Sequence, residues 1–536
     1  MSKRRNSQGR QGVKAVPVRG GLPAGPAKRK KTFAVRPAWT YGVLFVVLAV
    51  FCTLVYGDVF ARAQQESFVN GDAVSMKFLT DKPLGTLYWG MRWLLLAYKS
   101  KWLGGLLLAC VLTLTAWLLD RLLRLPAAWA GVGAVVPLAE LAWMVAQGTN
   151  LYYKNEPSRF VLLAVGTLLV AAVAYAVAAL LRRKRTEAQP KAAARPWGLM
   201  LMLVVAGALY GYALTAQQNP ILTARMQQRL WQQDWEGMIE DGLSARRPTR
   251  SVAAYFAIAL LQQGELLERL YEIPYNYPVN GGLEKHDGGE EYGILQADAD
   301  FEAGLVQVAY HYALEYTVMN GPTTYNMKRM ALCAVMMEEK ELARKYFRIL
   351  KSLPFEKDFI ARYEPMVDNP KLIEEDPELA LVRKLKPREH KYEQQYRQPA
   401  FMGYNLGLME GSDETLITST AACMYSKDLL AMMPRVMAMR QKNMNLPMTV
   451  QQAICCLSLK DKGAHKDVVN ILPNSQLVMS ELQSFLMDAK EYMKDKEKLR
   501  TELKGRWLGT YMYYYYCENN DSIATGKKSP REAAVN

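Results

Sequence analysis

The sequence predicts an all-α fold in two halves. Residues 37–216 form a bundle of about five transmembrane helices, and 217–517 form an α-solenoid of stacked helix pairs. Three observations predict it. Apolar runs long enough to cross a bilayer crowd the first half and stop near residue 216. The net charge of +16 belongs to that same half: 27 Lys/Arg stand against 8 Asp/Glu over 1–216, but 40 against 43 over 217–536. The second half is rich in Ala, Leu, Met, Glu, Lys and Arg and has no alternating strand pattern. A basic excess confined to the apolar half reads as an orientation signal. No basic stripe with interleaved aromatics follows, so nucleic acid is not an expected partner.

Residues 1–36 carry 11 Lys/Arg and are expected to be a disordered cytoplasmic tail that contacts anionic lipid. The first span, 39–57, reads "WTYGVLFVVLAVFCTLVYG" without a charge. Its long leader and the poor cleavage site "VYGDVFA" argue against a signal peptide. In the following loop, 84–98 is apolar but short. Leu84, Leu87, Met91, Leu94, Leu95 and Tyr98 fall on one side, with Arg92 in the middle, which predicts an interfacial helix. Four further spans are expected near 102–119, 127–146, 160–181 and 197–216, several with Trp or Tyr at their ends.

Five spans with the N-terminus inside put 11, 2 and 6 basic residues on the inner segments 1–36, 120–126 and 182–196. A sixth span at 84–98 would move "RRKR" of the last segment outside, against the positive-inside tendency. The expectation is a bacterial inner-membrane protein with its helical half in the periplasm. Five cysteines in that half, Cys333, Cys423, Cys455, Cys456 and Cys517, have no framework spacing and read as small buried apolar residues.

In the second half, helices are expected near 222–243, 249–271, 322–338, 340–352, 412–425, 427–440, 446–458, 475–487 and 490–517. In "ALCAVMMEEKELARKYFRILKSLP" (331–354), Ala343, Phe347 and Pro354 resemble the second helix of a tetratricopeptide repeat. "QQDWEGMIEDGLSARRP" (232–248) and "LLQQGELLERLYEIP" (260–274) echo its turn, although Met238 and Arg269 replace the small residue. Through "KPLGTLYWGMRWLLLAY" (82–98), "ALLQQGELLERLYEIP", "ELARKYFRILKSLPF" and "VRKLKPREH" (382–390), the chain resembles an uncharacterised family of multi-pass membrane proteins from Bacteroidota-type bacteria. That resemblance implies the architecture and no activity. The segment 518–536 is polar and expected to be a disordered tail.

Candidate chemistry is sparse. Asp58 directly follows the first span, a placement similar to the catalytic acid of membrane glycosyltransferases that use lipid-linked substrates. Glu140 lies inside the third span, where an ionisable group is costly, and a pair with Arg92 is one way to hold it. The Gly- and acid-rich excursion 275–302 offers Asp287, Glu290, Glu291, Asp298 and Asp300 as a binding surface, without the order of a calcium loop. The four His are dispersed, so neither a metal set nor a cofactor is expected. "YMYYYYC" (511–517) reads as a last helix packing its rings inward. The first expectation is therefore a membrane-anchored, non-catalytic helical-repeat protein that binds a protein or glycan in the cell envelope. The alternative is a transferase with Asp58 as its acid.

Overall fold

The computed structural model describes residues 37–153, 155–181, 197–275, 289–387, 412–460, 466–470 and 472–518. Among the described residues there is no strand. Five helices are long and apolar enough to cross a membrane: Ala38–Val55, Lys101–Leu123, Val132–Leu151, Arg159–Leu181 and Trp197–Thr215. At 1.5 Å per residue, the two of 23 residues reach about 34 Å, more than the bilayer core.

The first span is α1 (Pro37–Val50), continued by a π-helical turn over Phe51–Val55. Three short helices follow in one loop: α2 (Gly57–Gln65), α3 (Lys77–Thr80) and α4 (Gly85–Leu95). The remaining spans contain α5 (Lys101–Leu123), α6 (Val135–Gln147), α7 (Arg159–Leu181) and α8 (Trp197–Thr215). Small residues let the helix backbones approach. A Cβ on Gly105 of α5 would lie 2.6 Å from Cys52 O in the first span. Outward, α7 shows Leu169, Val170, Val173, Val177, Leu180 and Leu181, as a lipid-facing helix does.

The third span begins five residues later than expected. Gly131 turns the chain at φ +99°, and short 3-10 turns over Ala127–Trp129 and Val132–Ala134 precede α6. Pro137 thereby falls in the first turn of α6, where a missing N–H costs no hydrogen bond.

The bundle has two distinct ends. At the far end, Tyr41 donates to Asp120 (2.7 Å), which also accepts from the N–H groups of Gly131 and Gly133 (both 2.6 Å). There α7 ends and α8 enters, with Gly198 packed on Ala130. At the near end lie α2, the start of α5, the turn Gly148–Leu151 and the exit of α8. Both ends of the α2–α4 loop are therefore on one side, and α4 does not cross the bundle.

The helical half starts with α9 (Gln218–Gln232), α10 (Trp235–Ser244), α11 (Arg250–Gln263) and α12 (Leu266–Arg269). It continues with α13 (Gly289–Glu302), α14 (Val306–Asn320), α15 (Thr324–Met336), α16 (Lys340–Lys351), α17 (Lys357–Tyr363), α18 (Lys371–Glu375) and α19 (Pro377–Leu385). Last come α20 (Asp413–Tyr425), α21 (Leu429–Gln441), α22 (Met448–Lys460), α23 (Lys466–Asn470), α24 (Ser475–Ala489), α25 (Lys496–Trp507) and α26 (Tyr511–Cys517). Side-chain caps start many of them: Asp234, Thr323, Asp376, Ser412, Asp428, Asp495 and Thr510 each accept a backbone N–H of the first turn. The stretch 490–517, expected as one helix, is broken at Gly509 (φ +97°), and Thr510 caps the second piece.

Its apolar side chains fall into two main clusters. One joins α9–α12 to α20–α26. The other is built on α13–α19 and takes Phe68, Met76 and Leu79 from the loop after the first span. That loop is therefore part of the core of the helical half. All five cysteines of this half are buried and unpaired, as their sequence context predicts.

Candidate functional site

Where the two halves meet, α2 of the bundle packs on α9, and its Arg62 reaches Tyr325 of α15. Asp58 stands in the first turn of α2 and is only 2% exposed. Lys101 Nζ donates to its Oδ1 (2.9 Å) and Arg225 Nε to its Oδ2 (3.1 Å), so one residue from the second span and one from α9 hold it. Gln228 closes the contact by donating to the Asp58 carbonyl (3.0 Å). Arg225 also donates to Asp241 (3.1 Å), whose carboxyl is pushed above its ordinary range by burial although Arg225 and Arg229 oppose this.

One turn further along α2, the guanidinium of Arg62 lies 3.5 Å from the centre of the Tyr325 ring of α15 and pairs with Glu66. Burial raises the Glu66 carboxyl, against the pull of Arg62. The Tyr325 hydroxyl in turn donates to Asp298, as does Tyr255 (2.8 Å). The other oxygen of Asp298 accepts from Arg329 Nε (3.1 Å) and Nη2 (2.7 Å). Arg329 is fully buried between the rings of Trp231 and Phe301, and Glu302 lies 3.7 Å from its Nη1.

The acids outnumber the bases here. Glu66, Asp298, Glu302 and Glu378 surround Arg62 and Arg329. Burial, and then the charge of Glu378, pushes Glu302 well above the usual carboxylate range. Burial raises Glu378 as well. Desolvation favours the protonated form of both carboxyls, against the pull of Arg329. Gln262 donates to Glu302 (3.0 Å) and Gln233 to Glu378 (2.8 Å).

The loop after α2 adds a second set of ties. Thr324 of α15 donates through its hydroxyl to Ser67 O (2.8 Å). Arg92 on α4 is buried. It donates to Phe68 O (2.9 Å) and forms a two-pronged pair with Glu156 (2.7 and 2.8 Å). It therefore does not pair with Glu140. Glu356 sits between Lys99 of the bundle (3.4 Å) and Lys328 of α15 (3.5 Å). Burial pushes the Lys328 ammonium down to about 8.

Other sequence candidates fall elsewhere. Glu140 is buried in α6 beside the Thr167 hydroxyl of α7. The excursion 275–302 is not all loop, because 289–302 is α13. Asp298 and Asp300 are buried on that helix, Asp300 accepting from Gln296 (2.5 Å), which corrects their expected place on a binding surface. Asp287 lies outside the described residues, as do the tail 1–36, the hinge 182–196, the side chains of Glu290 and Glu291, and the tail beyond Glu518. Glu518 itself is buried, and Lys427 Nζ donates to its carbonyl (3.0 Å).

Sequence reasoning missed Arg62, Arg225, Asp241, Glu302 and Arg329 as members of the seam. One signal was available: Arg329 interrupts the apolar helix "YNMKRMALCAVM", and a charge in such a helix demands a partner. Its partner lies 31 positions away, beyond any local pattern. Chemically, the seam is a set of desolvated charges spent mainly on one another.

The family model described as a family of unknown function (DUF6057) matches residues 33–216 and 143–518. No curated protein and no solved structure matches the chain.

Proposed function

The chain belongs to DUF6057, a family of unknown function, and we propose that it is a membrane-anchored platform whose helical half binds a protein or glycan partner in the bacterial cell envelope. The carrying observation is the seam. Both carboxylate oxygens of Asp58, the leading candidate for chemistry, are taken up by Lys101 and Arg225 in seating the helical half on the bundle. A tetratricopeptide-like array suits that role, and the burial of Ala343 and Phe347 on α16 against α15 supports it. The orientation follows from charge. The basic segments 1–36, 120–126 and 182–196 adjoin span ends at the far end of the bundle, opposite the helical half. With the positive end inside, the helical half faces the periplasm across an inner membrane.

The test uses the paired substitution Asp58→Asn with Arg225→Gln, which removes one charge of each sign and so leaves the net charge of the seam unchanged. A platform keeps the phenotype of the intact gene as long as the helical half resists proteolysis to the same extent as in the wild type. Loss of the phenotype in a fully seated, protease-resistant variant would mean that the carboxylate does chemistry, and the transferase reading would replace this one.

A further inference from the structure

We infer that the helical half itself touches lipid, through the C-terminal tip of α14, beside the apolar face of α4. Tyr153 and Glu156 lie in the connector between the third and fourth spans. Tyr153 stands two residues past Leu151, so the chain carries it at most about 7 Å from the end of its span. The Tyr316 ring of α14 stacks on Tyr153 (centroids 5.4 Å apart), and its hydroxyl donates to Tyr153 O (3.1 Å). The tip of α14 is thus held at the level where the bundle leaves the bilayer.

The next residues are apolar and bare. Val318 is 77% and Met319 69% exposed, two and three positions past Tyr316 and therefore within about 3–5 Å of it along the helix axis. Water is a poor solvent for such a pair, while the opposite face of α14 packs on α13 and α15. The same connector also holds α4: Ser158 donates to Tyr88 O (3.3 Å) and Glu156 pairs with Arg92. On α4, Leu87, Trp93 and Leu94 are about half exposed. Two apolar surfaces, one from each half, thus flank one interfacial connector. A helix tip with Tyr at the boundary and aliphatic side chains beyond it matches what the headgroup–acyl boundary takes up.

This inference rests on the five-span reading and not on the identity of any partner. The test uses full-length protein in phosphatidylcholine–phosphatidylglycerol vesicles, with Cys110→Ser removing the exposed thiol among the described residues. A fluorophore is attached at Val318→Cys and, separately, at Leu87→Cys, at Leu169→Cys on the outward face of α7, and at Glu341→Cys, which is 88% exposed. Brominated phosphatidylcholine should quench Val318 about as strongly as Leu87 and several-fold more than Glu341. Quenching at Val318 no greater than at Glu341, with Leu169 strongly quenched, would overturn the proposal and leave the spans intact. A Val318 label shielded from both brominated lipid and aqueous iodide would also overturn it, since protein would then cover the tip. Absence of quenching at Leu169 as well would sink the five-span reading and this inference together.

Discussion

Two joints in the molecule bring distant segments together by opposite means. The seam ties α2 to α9 and α15 through Asp58, Arg62, Asp298 and Arg329. The last helix, α26, is tied to the turn after α12 and to α20 by rings. Tyr514 lies 4.6 Å from Tyr271 and 5.4 Å from Tyr275 between centroids, Tyr511 lies 5.1 Å from Tyr271, and Tyr511 donates to Met424 O (3.0 Å). A ring joint works by area and is forgiving of its exact partners. A charge joint is one-to-one, because each buried ion is costly until its own counter-charge arrives. The first kind stabilises. The second mainly selects one arrangement of the halves.

The largest expected effect comes from taking the seam apart as a unit. Expressing 217–518 without the loop removes Phe68, Met76 and Leu79 from the second core cluster. At roughly 2 kcal/mol per buried side chain, that is a loss on the order of 6 kcal/mol, comparable to the whole stability of a domain. The fragment should bind a hydrophobic dye and lose cooperative unfolding. A cooperatively melting fragment would break the comparison, since the loop would then be ornament.

Next is Arg329→Met, which strands Asp298 in the core. Removing one member of a buried pair costs about 3–5 kcal/mol, and a lower melting temperature of the purified protein should report it. A change below about 1 kcal/mol would show that water reaches Asp298.

The pH response of the seam follows from its buried carboxyls. Glu302 and Glu378 are raised in the folded chain, so between their ordinary value of 4.5 and the folded value the folded state holds protons that the unfolded state has released. Stability therefore falls as pH rises above about 4.5, and Glu302→Gln should flatten that slope. The Tyr hydroxyls of the ring joint add no slope over the same range, because burial raises them further above their ordinary range; the joint's own slope comes from Glu518 beside Tyr275, which burial pushes up to about 7. An unchanged slope in Glu302→Gln would assign the titration to another group. The smallest expected effect is Tyr514→Phe. It removes one hydroxyl donated to Tyr425 O and should cost about 1 kcal/mol in the same melt.

Much of this was legible in the sequence, and the residues show why. The runs near 39–57, 102–119, 160–181 and 197–216 match observed spans within a few residues. A lipid-spanning helix must satisfy its own backbone, so its signal is local and continuous. The third span slipped because Gly131 and two tight turns interrupt an apolar stretch whose composition alone does not mark them. The inward rings of "YMYYYYC" and the buried cysteines were also readable, since hydrophobic character decides burial. The acidic run ending at Glu302 was misread. Acids suggest a wet loop, and only the facing Arg329, Tyr255 and Tyr325 make it a core helix.

By itself, then, the sequence determined the all-helical content, the five membrane-length helices and the charge asymmetry between the halves. Each depends on what a residue is and on its near neighbours along the chain. Tertiary structure alone decided which charges meet. Asp58 finds Arg225 at a separation of 167 positions, and Arg92 finds Glu156 rather than Glu140 at 64. An ion pair is specified by distance and desolvation in space, and neither quantity has a period along the chain.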